Sequence, residues 1–158
     1  MPSTYPPEIA TPEDARHRAH QELQRAYLLI TYGHCAEALE ACERAAVLLP
    51  DHPLPLTLKG GILIASGQLP RAIRTLQQVQ RTHRGDILAS IYMAEACFLA
   101  GRHRRAWRVL DEIDPEALEK SPHAELALAL RETWSQIPPE ELPKPLEVNL
   151  DDEPQPIA

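Results

Sequence analysis

The sequence predicts an all-α protein made of three helix-turn-helix repeats, with capping helices at the ends of the stack. Gly33, Gly67 and Gly101 recur every 34 residues. An alanine stands five residues after each glycine, at Ala38, Ala72 and Ala106. A fixed period of this length is typical of helical hairpins that stack on one another, because a single hairpin cannot bury its own apolar face.

Small residues recur where the two helices of one repeat should cross. With repeats beginning at Ala19, Pro53 and Ile87, the eighth place of each repeat holds Ala26, Gly60 and Ala94. Small side chains there allow the helix axes to approach closely. The glycine in each repeat should end the first helix, because glycine adopts the left-handed cap conformation without steric cost.

The second helix of each repeat carries an apolar stripe. The twenty-fourth place holds Cys42, Leu76 and Leu110, and the twenty-seventh holds Ala45, Val79 and Ile113. Positions three apart lie on one helix face. The repeats therefore predict six helices, at about 12–32, 36–49, 54–67, 70–82, 87–100 and 103–113.

The ends of the chain predict caps and disordered segments. Thr11 should cap the first helix, and Ser121 should cap a last helix whose apolar face is Leu126, Leu130 and Trp134. A short helical piece is expected at 115–120. Residues 1–10 are expected to be disordered, 11–137 to form the repeat domain, and 138–158, with six prolines, to be an acidic disordered tail.

These repeats resemble the tetratricopeptide repeat family over about 100 residues. The resemblance implies three repeats in a short right-handed superhelix, with the first helix of each repeat lining the concave side. The sequence departs from the family pattern at the seventh place, where Arg25 and Lys59 replace a large apolar residue and Met93 conforms.

The concave groove that the resemblance implies is mostly apolar. Such a groove suits an apolar or amphipathic segment of another protein. The alternative for each side chain is that it packs against the next repeat. The groove residues predicted in this way are Tyr27, Ile30, Leu54, Leu58, Ile64, Leu88, Ile91, Tyr92 and Phe98.

The fifth and ninth places exclude one familiar mode of recognition. Tetratricopeptide domains that clamp acidic C-termini carry Lys and Asn there, since a carboxylate needs charge-assisted donors. In this sequence the six places hold Leu23, Tyr27, Thr57, Gly61, Ile91 and Glu95.

The overall plan, three repeats with capping helices and an apolar groove, resembles the small chaperones that hold translocator or needle subunits of type III secretion. The run from Ala94 to Gly101 is similar to a stretch common in those chaperones. That resemblance implies a bacterial cytoplasmic chaperone for an export substrate. A structural assembly subunit, using the same apolar surface for oligomerisation as a homodimer or heterocomplex, is the alternative.

Other patterns predict neither catalysis nor a bound cofactor. No nucleophile motif, phosphate loop or metal-ligand spacing is present, and Cys42 and Cys97 fall at core places. The net charge of −7 and the near-neutral repeat region argue against nucleic-acid binding, and the lack of a long apolar run against a membrane span. The basic cluster from Arg102 to Arg108 is either a solvated face or a contact for an acidic partner, including the chain's own Asp151–Glu153.

Overall fold

A computed structural model describes residues 11–147, and the regular secondary structure of this part of the chain is helical, without strands. A 3₁₀ turn at Pro139–Glu141 follows the last helix. The helices are α1 (Pro12–Thr31), α2 (Cys35–Leu48), α3 (Leu54–Ala65), α4 (Leu69–Thr82), α5 (Ile87–Leu99), α6 (His103–Asp111), α7 (Pro115–Lys120) and α8 (Ala124–Gln136).

The first six helices form three hairpins of the tetratricopeptide type, which stack in chain order. Within the hairpins, α1 packs on α2, α3 on α4, and α5 on α6. Between them, α2 packs on α3 and α4 on α5, while α3 also contacts α5 directly. Helix α8 then covers α5 and contacts α7. The predicted fold class, repeats with a capping helix, is confirmed.

The three repeat glycines end α1, α3 and α5 in the same way. Their φ angles are +81°, +76° and +79° at Gly33, Gly67 and Gly101. In the turn after α1, the amide of His34 donates to the carbonyl of Leu29 at 2.8 Å, and the amide of Gly33 donates to the carbonyl of Ile30 at 2.9 Å. The same pair of bonds recurs after α3 and α5. This Schellman geometry satisfies the last carbonyls of each helix and requires a left-handed residue.

The small and apolar repeat places form the core, as predicted. Alanines at the twentieth place, Ala38, Ala72 and Ala106, are fully buried. A Cβ added at Gly60 would lie 2.6 Å from Leu76 Cδ2, so the eighth place admits no larger residue in the second repeat. One apolar cluster spans α1, α2 and the adjoining face of α3, and a larger one runs from α3 to α8.

The two predicted cap residues have different outcomes. Thr11 caps α1, because its Oγ1 accepts from the Asp14 amide at 3.1 Å and the Asp14 carboxylate accepts from the Thr11 amide at 3.1 Å. The prediction for Ser121 is wrong. Its hydroxyl donates back to the Leu118 carbonyl at 2.7 Å and thereby closes α7, while α8 begins three residues later at Ala124.

The apolar face of α8 is rotated from the predicted one. Ala127 and Trp134 are buried and Leu130 packs at their side, whereas Leu126 remains 38% exposed. The Trp134 ring stacks on Phe98 with centroids 4.3 Å apart, and the Trp107 ring meets its edge at 5.6 Å. These aromatic contacts set the orientation of the helix, so α8 caps the stack by a face centred on Ala127 and Trp134.

Residues 138–147 differ from the expected disorder of the tail. After the 3₁₀ turn the segment runs back over the end of α5, and the Leu146 amide donates to the Ala100 carbonyl at 3.0 Å. Leu142 and Leu146 pack against the larger core cluster. Prolines prevent a regular helix there, but they do not prevent an extended segment from packing. The remaining tail residues and residues 1–10 lie outside the described part of the chain.

Candidate functional site

A concave cleft of about 300 Å³ lies where the first helices of the three repeats meet. Helix α1 supplies one wall, α3 the floor and α5 the opposite wall. Five predicted groove residues come together here: Tyr27, Ile30, Leu58, Ile64 and Tyr92. The remaining lining residues are Thr31, Gly61, Ile62, Ala65 and Glu95.

The floor of the cleft depends on a glycine inside a helix. A Cβ added at Gly61 would lie 2.8 Å from Tyr92 Cε2, so the Tyr92 ring rests on the backbone of α3. Glycine in a helix interior is destabilising by roughly 0.5–1 kcal/mol relative to alanine. The close approach of the Tyr92 ring accounts for the glycine at this position.

The two tyrosines differ in how much of each ring is free. Tyr92 is half-buried, whereas Tyr27 on the opposite wall is 69% exposed. Leu28 and Tyr32, near Tyr27 on α1, are also exposed. An exposed aromatic ring at the rim of an apolar cleft offers contact area at low conformational cost, as is usual where proteins bind other proteins.

Among the described residues that line the cleft, Glu95 alone is charged. Burial raises the pKa of its carboxyl, and it makes no ion pair within residues 11–147. The pKa of Tyr92 is raised too, first by burial and then by the charges of Glu95 and Tyr27. These effects place the three groups within electrostatic reach of one another.

Two other predicted groove residues line a separate cleft. Leu54 and Leu88, at the second place of their repeats, lie at the beginnings of α3 and α5 around a space of about 270 Å³. Thr57 lines the same space, and its buried Oγ1 has no hydrogen-bond partner among residues 11–147. The predicted groove is therefore divided into two clefts along the concave side.

Ile91 and Phe98 lie in neither cleft, which corrects their assignment to the groove. Ile91 is fully buried, and Leu23 and Thr57 at the same fifth place of the other repeats are buried too. Phe98 is covered by Trp134, because α8 stands where the first helix of a fourth repeat would begin. The alternative weighed from the sequence, packing against the next element, applies to these two residues.

The sequence pattern contained the residues that the groove prediction left out. Gly61 and Glu95 occupy the ninth place, one turn beyond the fifth, and this place faces the cleft in all three repeats. A choice of groove residues by apolar character leaves out glycine and glutamate. The repeat position alone would have included both.

The cysteines and histidines form no metal site in the part of the chain that the structure covers. Cys42 is buried, and desolvation raises the pKa of its thiol to about 11. At neutral pH this thiol is protonated, so it acts as a small apolar core residue and not as a nucleophile.

The basic cluster lines a third depression, of about 620 Å³, away from the concave side. Arg84, Arg105 and Arg108 share its walls with Glu112 and Asp114, so its charges are mixed. Asp151–Glu153, the acidic residues considered as its intramolecular partner, lie outside the described residues. None of the described helices is long and apolar enough to cross a membrane.

Comparison with known proteins finds a family match for part of the chain. Residues 63–130 match the tetratricopeptide repeat family, a span that runs from the end of α3 into α8 and covers somewhat less than half of the chain. No curated protein matches. Tetratricopeptide repeats generally mediate protein–protein interactions through extended concave surfaces. The helical hairpins of the structure agree with this partial match, which makes residues 63–130 similar to the tetratricopeptide repeat family.

Proposed function

We propose that the protein is a non-catalytic adaptor or chaperone that holds an apolar segment of a partner protein in its concave cleft. The observation that carries the proposal is the cleft itself, in which three successive repeats present Tyr27, Leu58 and Tyr92 around one space. An amphipathic helix or an extended strand has apolar anchors at the spacing that such a groove receives.

A charged double variant tests the cleft. Leu58→Asp combined with Tyr92→Asp places two carboxylates where the partner's apolar side chains would lie, and burying an unpaired charge against them is strongly unfavourable. We expect at least a tenfold loss of partner binding, since hot-spot residues of this kind contribute about 2 kcal/mol or more. Partners are recovered from native cells with tagged protein and identified by mass spectrometry, and affinity is then measured with the purified partner.

A matched control separates the cleft from surface charge in general. Val47→Asp combined with Leu128→Asp makes the same chemical change at two exposed side chains on α2 and α8. This variant should bind the partner as the wild type does. Circular dichroism establishes that both double variants remain helical. Full binding by a folded cleft variant would rule out the concave cleft as the binding surface.

The finer hypothesis is a cytoplasmic chaperone of type III secretion. It is supported by the resemblance of Ala94–Gly101, but six of those eight residues are buried, namely Ala94, Ala96, Cys97, Phe98, Ala100 and Gly101. The resemblance is therefore carried mostly by packing positions, and Glu95 is the residue of this run that lines the cleft. Recovery of one secreted subunit at fixed stoichiometry would support this class, and recovery of cytoplasmic partners alone would exclude it.

A structural assembly subunit is the second candidate, favoured by the exposed apolar end of α1. Tyr27, Leu28 and Tyr32 are each more than half exposed there. Sedimentation velocity distinguishes the two candidates. A stable homo-oligomer that dissociates on Leu28→Asp plus Tyr32→Asp would favour assembly, whereas a monomer that captures a partner through Leu58 and Tyr92 favours the adaptor.

A further inference from the structure

The cleft contains an acidic group that an apolar partner segment alone would leave unpaired. Glu95 lies on the wall formed by α5, in contact with the same space as Leu58 and Tyr92. The nearest basic residue along the floor helix, Lys59, points to the other side and contacts Glu43 of α2 at 3.3 Å. No ion pair to Glu95 exists within residues 11–147.

Closing the cleft with a purely apolar side chain would remove the remaining water from this carboxylate. Burying a charge without a partner is costly, and burial already raises the pKa of Glu95 in the free protein. A cation delivered by the partner would offset that cost and form a charge-assisted hydrogen bond. The chemistry of the cleft therefore favours a partner that supplies one positive charge at this place.

The other lining residues suit the rest of a long cationic side chain. Leu58 and Ile64 present aliphatic surface, and Tyr27 and Tyr92 stand on opposite walls. Lys and Arg bury their methylene stems against apolar surface while keeping the charged head at a polar group. Tyrosine rings beside the head add a cation–π attraction. A space of about 300 Å³ has room for one such side chain with an apolar neighbour, and it is at the lower limit of small-molecule sites.

We propose that the concave cleft is a recognition site for a lysine or arginine side chain within an apolar partner segment. Glu95 is the counter-charge, and Tyr27 and Tyr92 flank the cationic group. This inference rests on the proposed function and specifies the chemistry of the partner. It distinguishes the protein from tetratricopeptide clamps for acidic termini, whose positive groove would repel the same segment.

The test uses a library of twelve-residue peptides displayed on phage, selected against the full-length protein. We expect selected peptides to carry Lys or Arg at one fixed position beside apolar residues. Binding of such a peptide should weaken about tenfold with Glu95→Gln, because a charge-assisted hydrogen bond is replaced by a neutral one. A peptide in which norleucine replaces the basic residue should bind the wild-type protein about as weakly as the original peptide binds the Glu95→Gln protein. Combining the two changes should weaken binding no further.

A matched control and a second readout complete the experiment. Glu40→Gln, an identical change at an exposed position on α2, should leave the affinity unchanged. Added salt should lower the peptide affinity of the wild-type protein more than that of the Glu95→Gln protein, because the substitution removes the ion pair that salt screens.

The outcomes separate this inference from the proposed function. The selected peptides could share apolar residues without a basic position and bind equally to wild type and to the Glu95→Gln protein. If that binding is lost with Leu58→Asp plus Tyr92→Asp, the cation site is overturned and the adaptor proposal is supported. If no selected peptide depends on Leu58 and Tyr92, the adaptor proposal is overturned, and the cation site is overturned with it.

Discussion

At the scale of single residues, Gly101 differs from the other two repeat glycines in what surrounds it. A Cβ added at Gly33 or Gly67 would meet open space, whereas one added at Gly101 would collide with the backbone of Lys144 and Pro145. We expect Gly67→Ala to lower the free energy of unfolding by about 1 kcal/mol, because of its positive φ alone. Gly101→Ala should cost at least about 3 kcal/mol, because overpacking adds to the backbone strain. Equilibrium urea unfolding measures both.

A shortened chain provides the control for this comparison. In a chain that ends at Ile137, Gly101→Ala should lower the free energy of unfolding no more than Gly67→Ala does. In a chain that ends at Glu147 the effect of Gly101→Ala should remain as large as in the full chain. An equal cost of Gly101→Ala in all three chains would mean that Lys144 and Pro145 do not lie against Gly101 in solution.

Glu95 gives a pH-dependent prediction at the same scale. Its folded-state pKa is raised by burial, so between the ordinary glutamate value of about 4.3 and that raised value the folded state binds more protons than the unfolded state. Stability is therefore lost as pH rises through this window. Glu95→Gln should be more stable than wild type at pH 7, and the advantage should vanish below about pH 4. The groups that face Glu95 in the cleft are the phenol rings of Tyr27 and Tyr92.

Urea unfolding of both proteins from pH 4 to pH 7 measures this difference. Glu40→Gln, the same change at an exposed position on α2, is the control. A stability difference between Glu95→Gln and wild type that is the same at pH 4 and pH 7 would contradict the burial of the carboxylate.

At the scale of elements, the sequence predicted what depends on the local chain and missed what depends on distant contacts. Each repeat helix was placed within about two residues, since a left-handed glycine ends α1, α3 and α5 at positions that the period defines. Five of the nine groove residues share the main cleft. Phe98 was misplaced because its cover, Trp134, comes from a helix outside the repeat. The segment at 138–147 was missed because its order comes from Ala100 and Gly101, far away in the sequence.

The ordered segment after α8 gives the prediction for this scale. Leu142 and Leu146 are half-buried against the larger core cluster. Leu142→Ala combined with Leu146→Ala should lower the free energy of unfolding by about 2 kcal/mol, since each change removes part of a leucine's buried area. Leu128→Ala, at an exposed leucine of α8, should stay within about 0.5 kcal/mol of wild type. If urea unfolding shows the same small effect for the double variant as for Leu128→Ala, the segment does not pack against the core.

At the scale of the whole molecule, the core is divided along the stack. One cluster joins α1 and α2 to a face of α3, and the other extends from α3 to α8. Repeat proteins are stabilised by neighbouring contacts only, so a perturbation at one end reaches the other end through the intervening hairpin. Helix α3 contributes to both clusters, since Ile62 belongs to the first and Leu63 to the second. The cleft lies over this helix, and its shape therefore depends on both halves.

Two core substitutions, one in each cluster, test this division. Trp134→Ala removes the ring that covers Phe98 and should cost about 3 kcal/mol or more, and Leu48→Ala in α2 should cost about 2–3 kcal/mol. Native-state hydrogen exchange should then show opposite patterns. Trp134→Ala should increase exchange in α5 and α6 more than in α1 and α2, and Leu48→Ala should do the reverse. If both variants accelerate exchange uniformly from α1 to α8, the stack unfolds as one cooperative unit and the two clusters are not separable. Opposite patterns would mean that the two halves of the stack open separately in the free protein.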